Sequence, residues 1–247
     1  MVGFNSRVIL TSLDVHAARN LWHLMTSATS RPLFERLQIA GPAGQLEGIL
    51  DGPSGEPTAL AVICHPHPQF GGTMSNKVVH MLAKSFTELG AVAVRFNYRG
   101  VGASEGKYDE GNGETLDALA VVEWAQRRYP SLPLWLGGFS FGGGVAIRVA
   151  AQVLPQRLVT VAPGIRLVTV DISGLPRSAW LIVQGDNDDL VNAVDIQQWA
   201  ATLQPPPELV VAHGVDHFFH GRLTELRDIV VRWVRPSGQP PASTVGA

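Results

Sequence analysis

Cysteine is all but missing from this chain: Cys64 stands alone among 247 residues. No internal disulfide can form, which excludes a disulfide-stapled scaffold and fits a reducing compartment, the cytoplasm. Charge is also sparse. Lys and Arg number 19 and Asp and Glu 21, mixed along the chain to a net −2. No basic stripe exists to neutralise phosphates, so the expected partners do not include nucleic acid. No apolar run approaches the roughly 20 residues that span a bilayer. Hydrophobic residues make up 45% of the chain, which is ample for a core and excludes a wholly disordered polypeptide. The length suits one α/β domain.

The two ends are expected to lie outside that domain. Arg7 followed by VILTSL begins like a secretion signal, but Asp14, His16 and Arg19 interrupt it before an adequate apolar segment develops. Residues 1–30 are therefore expected to be a disordered extension, with Met25 as an alternative start. The last twelve residues, PSGQPPASTVGA (236–247), are small or turn-forming and are expected to be a loose tail. The domain is expected over 31–235.

Inside it, strand and helix patterns alternate. Segments 37–40 and 45–50 suit an opening hairpin through GPAG. ALAVICH, AVAVRFN, LPLWLGG, LVTVA, AWLIVQG and LVVAH are continuous apolar runs, as expected of strands buried on both faces. Between them Val78, Met81, Leu82, Phe86 and Leu89 recur at helical spacing, with Gly90 where a C′ cap belongs. A second helix is expected through Leu116, Leu119, Ala120, Val122 and Trp124, and further ones over 141–152, 192–203 and 221–234. Such alternation implies a mostly parallel sheet of about eight strands with right-handed crossovers and helices on its faces. Ligands then bind at the carboxyl ends of the strands.

The chemistry is concentrated there. LWLGGFSFGGG holds a G-x-S-x-G pattern as Gly138, Phe139, Ser140, Phe141 and Gly142. A serine on a sharp strand-to-helix turn is held strained with its Oγ exposed, and flanking glycines admit the close backbone approach that the turn requires. With 26 glycines the pattern could be a plain packed turn. The apolar strand before it and the amphipathic helix after it favour the nucleophile. A serine hydroxyl needs a base, itself oriented by an acid. Behind such an elbow the acid comes first in the chain and the histidine last. Three histidines follow Ser140: His213, His217 and His220. His213 ends a strand and His220 begins a helix, whereas His217 lies in the loop GVDHFF between them and can reach the serine. For the acid, GDNDDLV offers Asp186, Asp188 and Asp189, and spacing alone does not choose among them.

These segments, GGFSFGG, GDNDDLV and GVDHFF, together with FNYRGVGASEG and HPHPQFGGTMSNKVV, resemble the α/β-hydrolase superfamily. They are most similar to a compact bacterial branch with an HPHPxxGGTMxNKVV segment. The resemblance covers about 33–234. It implies an α/β-hydrolase fold and an acid three positions after the strand-ending glycine in G-x-x-D-x-x-V. Gly185 and Val191 fit, so the acid is Asp188. The histidine segment G-x-x-H is matched by Gly214 and His217.

Acyl transfer also needs donors for an oxyanion. One is expected to be the backbone N–H of Phe141. The other is expected from the loop after the third strand, where related hydrolases carry His-Gly. Here His65-Pro66 stands in that place, and His67 is the expected donor, with Phe70 or Gly71 as alternatives; Pro66 and Pro68 have no N–H. The H-x-H of His65 and His67 lacks a spaced third ligand, so no metal is expected, and no cofactor. Cys64 lies outside any elbow and is expected to pack. Arg99 and Ser104 are expected to brace a loop. Only 164–178 separates LVTVA from AWLIVQG, too short for the helical lid of many lipases. The expected protein is therefore a lidless serine hydrolase acting through an acyl-enzyme on small-molecule esters with small or accessible acyl groups. Thioesterase, amidase or peptidase, and acyltransferase share the machinery, and a non-catalytic binding member of the fold is the rival of another class. Oligomeric state is not legible.

Overall fold

Strands buried on both faces must be covered on both faces, and that requirement organises the molecule. The computed structural model describes residues 33–168 and 178–235; the expected N-terminal extension and C-terminal tail lie outside them. Eight strands form one sheet in the order β1-β2-β4-β3-β5-β6-β7-β8. They are β1 (Phe34–Gly41), β2 (Gly44–Asp51), β3 (Ala59–Cys64), β4 (Ala91–Phe96), β5 (Leu134–Phe139), β6 (Arg157–Val161), β7 (Ala179–Gly185) and β8 (Glu208–Ala212). The opening hairpin pairs antiparallel, with Ile39 opposite Leu46, and β2 meets β4 antiparallel. The remaining pairs, from β4 through β3 to β8, are parallel.

Among the described residues five α-helices cover the sheet: α1 (Lys77–Glu88), α2 (Asn112–Arg128), α3 (Phe141–Val153), α4 (Ala193–Ala201) and α5 (Leu223–Val234). Period-two alternation along the buried strands divides the core in two. Leu60, Val62 and Cys64 face α2, α3 and α4, packing with Val121, Val145, Val149 and Ile196. Ala59, Ala61 and Ile63 face α1 and α5, packing with Val79, Leu82, Phe86, Leu226 and Val230. Gly90, with φ of 90°, occupies the expected position just past α1. None of the helices among the described residues is long and apolar enough to cross a membrane.

Helix α2 departs from expectation. Leu116, counted in its apolar face, is 53% exposed, while Glu114 and Asp117 are fully buried. Glu114 and Asp117 turn inward to bind backbone and cation, while Glu123 stays exposed. Glu114 accepts hydrogen bonds from the N–H groups of Asp109 and Gly111. Asp117 accepts from the Arg99 backbone N–H and, in a fork, from Arg99 Nε and Nη2 at 3.0 and 2.8 Å. Removing Arg99 would strand a buried charge at a cost of about 3–5 kcal/mol.

The chain leaves β3 toward β4 on one side and returns to β5 on the other. This reversal opens a crevice at the carboxyl ends of β3 and β5, where ligands bind in open α/β sheets.

Candidate active site

Ser140 lies at the end of β5 and caps α3 with φ of 55° and ψ of −122°. A non-glycine residue in that region is strained, and the surroundings must hold it there. They do so through backbone bonds. Ser140 N–H donates to Val161 O at 2.9 Å, and Ser140 O accepts from Gly143 N–H and Gly164 N–H, each at 2.8 Å. The glycines of the motif are steric necessities. A Cβ on Gly138 would collide with Gly142 O, and one on Gly142 with the carbonyl oxygens of Cys64 and His65.

The loops after β7 and β8 bring up the other two groups. Asp186 N–H donates to Ala212 O and Asn187 N–H to Val215 O, both at 3.1 Å, and Gly185 lies so close to Val215 O that no side chain fits between. This zip sets the histidine facing the serine. His217 Nδ1 lies 2.7 Å from Asp188 Oδ2 and its Nε2 lies 3.1 Å from Ser140 Oγ. The ring packs against Phe139 and Phe218, with centroids 4.9 and 5.0 Å away.

Asp188 is fully buried beside the imidazole, with a side-chain exposure of 0%. Burial pushes its carboxyl up, but the His217 contact and the amides of Val191 and Leu190 outweigh that and hold it below the usual carboxylate range. An ionised Asp188 draws the imidazole proton to Nδ1, which donates to Oδ2. Nε2 is then free to accept from the Ser140 hydroxyl. Gln184, which the sequence reading passed over, also donates from Nε2 to Asp188 Oδ2, at 3.1 Å. Its signal was a polar residue at the end of an otherwise apolar strand.

Of the other candidates, His213 pairs with Asp186 and His220 with Asp216, both exposed and away from the serine. Asp189 is exposed. Cys64 is buried and its thiol is pushed up to about 12 by burial, which keeps it protonated and inert.

The loop after β3 is anchored residue by residue. The buried His65 places Nδ1 2.7 Å from Pro66 O and accepts from Tyr98 N–H at Nε2, so both ring nitrogens are engaged. Burial pushes its pKa down to about 3, and it stays neutral. A Cβ on Gly72 would collide with Pro66 O. Met74 N–H donates to Asn97 Oδ1, and Asn76 caps α1 by accepting from Val78 N–H at 2.9 Å. Ser104 donates to Asn97 O and accepts from Glu47 N–H, bracing the neighbouring loop. His67 Nδ1 accepts from Gln69 N–H, and its ring lies against Phe70, Tyr108 and Phe141. Phe70 N–H is engaged by His67 O. The backbone N–H groups of His67 and Phe141 have no acceptor among the described residues, and that of Phe141 is one of the orphan donors in the first turn of α3. No group of three or more His, Cys, Asp or Glu side chains among the described residues is gathered to hold a metal ion.

Comparison with known proteins gives a consistent picture. A family model described as serine aminopeptidase, S33, matches residues 55–178. An α/β serine hydrolase without a lid from Xanthomonas campestris superposes with a TM-score of 0.78 at 40% identity, covering 84% of this chain and 97% of its own. An α/β serine hydrolase homologue from Coxiella burnetii gives 0.75 at 44% identity, with 81% and 97% covered. An uncharacterized protein of Rickettsia prowazekii is 33% identical over 201 residues, 77% of this chain and 84% of that one.

Proposed function

This chain belongs to the α/β serine hydrolases, among those without a lid, and on that premise we propose that it hydrolyses carboxylic esters through an acyl-enzyme on Ser140. One observation carries the reading: the unbroken line from Ser140 Oγ to His217 Nε2 and from His217 Nδ1 to Asp188 Oδ2.

Ser140 Oγ attacks the ester carbonyl as its proton passes to His217 Nε2, and Asp188 stabilises the imidazolium that forms. The backbone N–H groups of Phe141 and His67 receive the oxyanion, a contribution of several kcal/mol for such a pair. Collapse of the tetrahedral intermediate breaks the bond to the leaving oxygen, which takes the proton from His217. Water then gives a proton to the same nitrogen, adds to the acyl carbon and releases the acid and free Ser140.

Small or accessible acyl groups suit the site. Phe70, beside His67, and Phe218, beside His217, are 84% and 42% exposed, and among the described residues no inserted domain encloses a long chain. A fluorophosphonate probe is expected to label the wild type and not Ser140→Ala. A series of p-nitrophenyl esters, set beside acyl-CoA and aminoacyl amides, is expected to give its highest kcat/KM with a short acyl ester. A folded wild type that resists the probe would overturn the hydrolase reading, and faster turnover of aminoacyl amides would replace ester with peptide chemistry.

A further inference from the structure

Two grooves adjoin the candidate site, one through Phe218 beside His217 and the other through Tyr108 beside His67, and they differ in chemistry. One, of about 370 Å³, runs between the start of α1 and the segment following His217; its surface is mostly apolar, with Val78, Phe218 and Leu223 in its walls beside the polar Asn76, Lys77 and His220. The other, of about 500 Å³, is lined by Gln69, Tyr108, Glu110, Asn112, Arg148 and Leu167. Proton transfer assigns an end of the substrate to each. The leaving oxygen must come to His217 Nε2 to take its proton, so the alcohol lies on the His217 side, in the apolar groove. The acyl group diverges from it, past His67 and Phe141, toward the second groove.

That second groove is rich in hydrogen-bond donors. His67 Nδ1 accepts from Gln69 N–H, which leaves the ring proton on Nε2 to donate to Tyr108 Oη at 3.2 Å. The hydroxyl proton of Tyr108 then has no acceptor among the described residues. Arg148 lies two turns along α3 from Ser140. It is half-buried and donates to Gly111 O at 3.2 Å and Asn112 Oδ1 at 3.0 Å. It pairs with no carboxylate among the described residues, as is also true of Arg36, Arg157 and Arg232, but it is the arginine that lines this groove. A guanidinium has five N–H donors in a fork that matches a carboxylate. Glu110, the acidic residue of the groove, is exposed and therefore screened by water.

We propose that the substrates are half-esters: a short acyl group ending in a carboxylate, held by Arg148 and Tyr108, joined to an apolar alcohol that lies over Phe218. This rests on the ester reading above and adds the chemical class at each end of the scissile bond.

The test compares butyl hydrogen succinate with butyl butyrate, which share a leaving group and an acyl length and differ in the terminal charge. Wild type is expected to favour the half-ester by about tenfold in kcat/KM, the size of one charge-assisted contact, and added salt is expected to erode that preference. Arg148→Gln should bring the ratio of the two esters to about one, Tyr108→Phe should lower it in part, and Glu110→Gln should raise it. Phe218→Ala should instead diminish the gain on lengthening the alcohol from methyl to butyl. A wild-type ratio at or below one overturns the proposal even if Arg148→Gln fails to fold, as does a variant that slows both esters equally. Hydrolysis of butyl butyrate without a preference for the succinate defeats this inference alone. Failure on both esters together with an unlabelled Ser140 defeats the ester reading as well.

Discussion

His217 and His213 each meet an aspartate through Nδ1, at 2.7 Å for Asp188 and 2.6 Å for Asp186. By distance alone the two pairs are the same. Their surroundings differ completely. The side chains of His217 and Asp188 are 6% and 0% exposed, whereas those of His213 and Asp186 are 98% and 34% exposed. Water competes for the outer pair and weakens it. In the inner pair the imidazole packs against Phe139 and Phe218, and the carboxylate takes two further amide bonds. A hydroxyl stands at the far nitrogen of His217, and no partner stands at that of His213 among the described residues. A histidine–carboxylate contact is therefore common chemistry on this surface; enclosure and a third group separate one such contact from the rest.

The two histidines should differ most when each is removed in turn. His217→Ala is expected to lower kcat on a short ester by about 10⁵-fold, because the serine loses its base. Asp188→Asn is expected to cost about 10³ to 10⁴-fold, since the amide cannot draw the proton to Nδ1. Steady-state kinetics on folded variants check both. If Asp188→Asn costs less than Asp186→Asn, the assignment of the acid is wrong.

Legibility followed the range of the forces involved. The elbow could be read because its requirements are local: Gly138 and Gly142 answer to backbone atoms of adjoining turns, and the buried strands announce themselves by composition. The acid could not be read from residues alone. Whether Asp186, Asp188 or Asp189 turns inward depends on Asn187 N–H reaching Val215 O across 28 positions, and only the resemblance to a family chose among them. Helix α2 misled in part for the same reason: Asp117 is buried by partnership with Arg99, 18 positions earlier, while Glu114 turns in to cap its own helix through the amides of Asp109 and Gly111. Gln184 was hidden because period-two alternation tells which residues share a face, not what waits beyond it. The HPHPQFGGTMSNKVV segment was legible as a motif, while its work proved largely structural: His65, Gly72 and Asn76 build the loop that presents His67.

A third histidine sharpens the role of enclosure. His65 is buried and neutral, with its pKa pushed from about 6.5 to about 3. The unfolded chain binds its proton below about pH 6.5 and the folded chain does not, so stability present above that pH is lost as pH falls toward 3. The loss is expected to approach about 1.4 kcal/mol per pH unit from this group. Urea midpoints between pH 7 and pH 4 should fall in the wild type and fall less steeply in His65→Gln. Parallel slopes would show that other groups govern the acid limb.

Gln184→Leu tests a smaller effect at the inner pair. Asp188 Oδ2 would keep the His217 proton and lose the Gln184 donor, so the carboxylate should remain ionised but turn more freely. A loss of about tenfold in kcat with KM little changed is expected, the size of one hydrogen bond to a charged group. A drop in KM-dependent binding alone would assign Gln184 to substrate rather than to the acid.

The smallest effect is expected at the outer pair, and it is the most discriminating. His213→Ala removes an exposed ring whose far nitrogen serves no described group, so kcat should change by less than about twofold. Asp186→Asn is less simple, because Asp186 Oδ1 also accepts from Gly214 N–H at 2.6 Å, three residues before His217. Its carboxyl is held below the usual range by the His213 contact first and that amide second. Its contribution to stability is thus full above about pH 3.9 and is lost as pH falls below that. An asparagine keeps an oxygen for Gly214, so a small loss of activity in Asp186→Asn beside none in His213→Ala would separate the loop bond from the ion pair. A loss beyond about tenfold in His213→Ala would mean that the exposed pair holds the catalytic loop in register, and burial would no longer explain why one contact works and its neighbour does not.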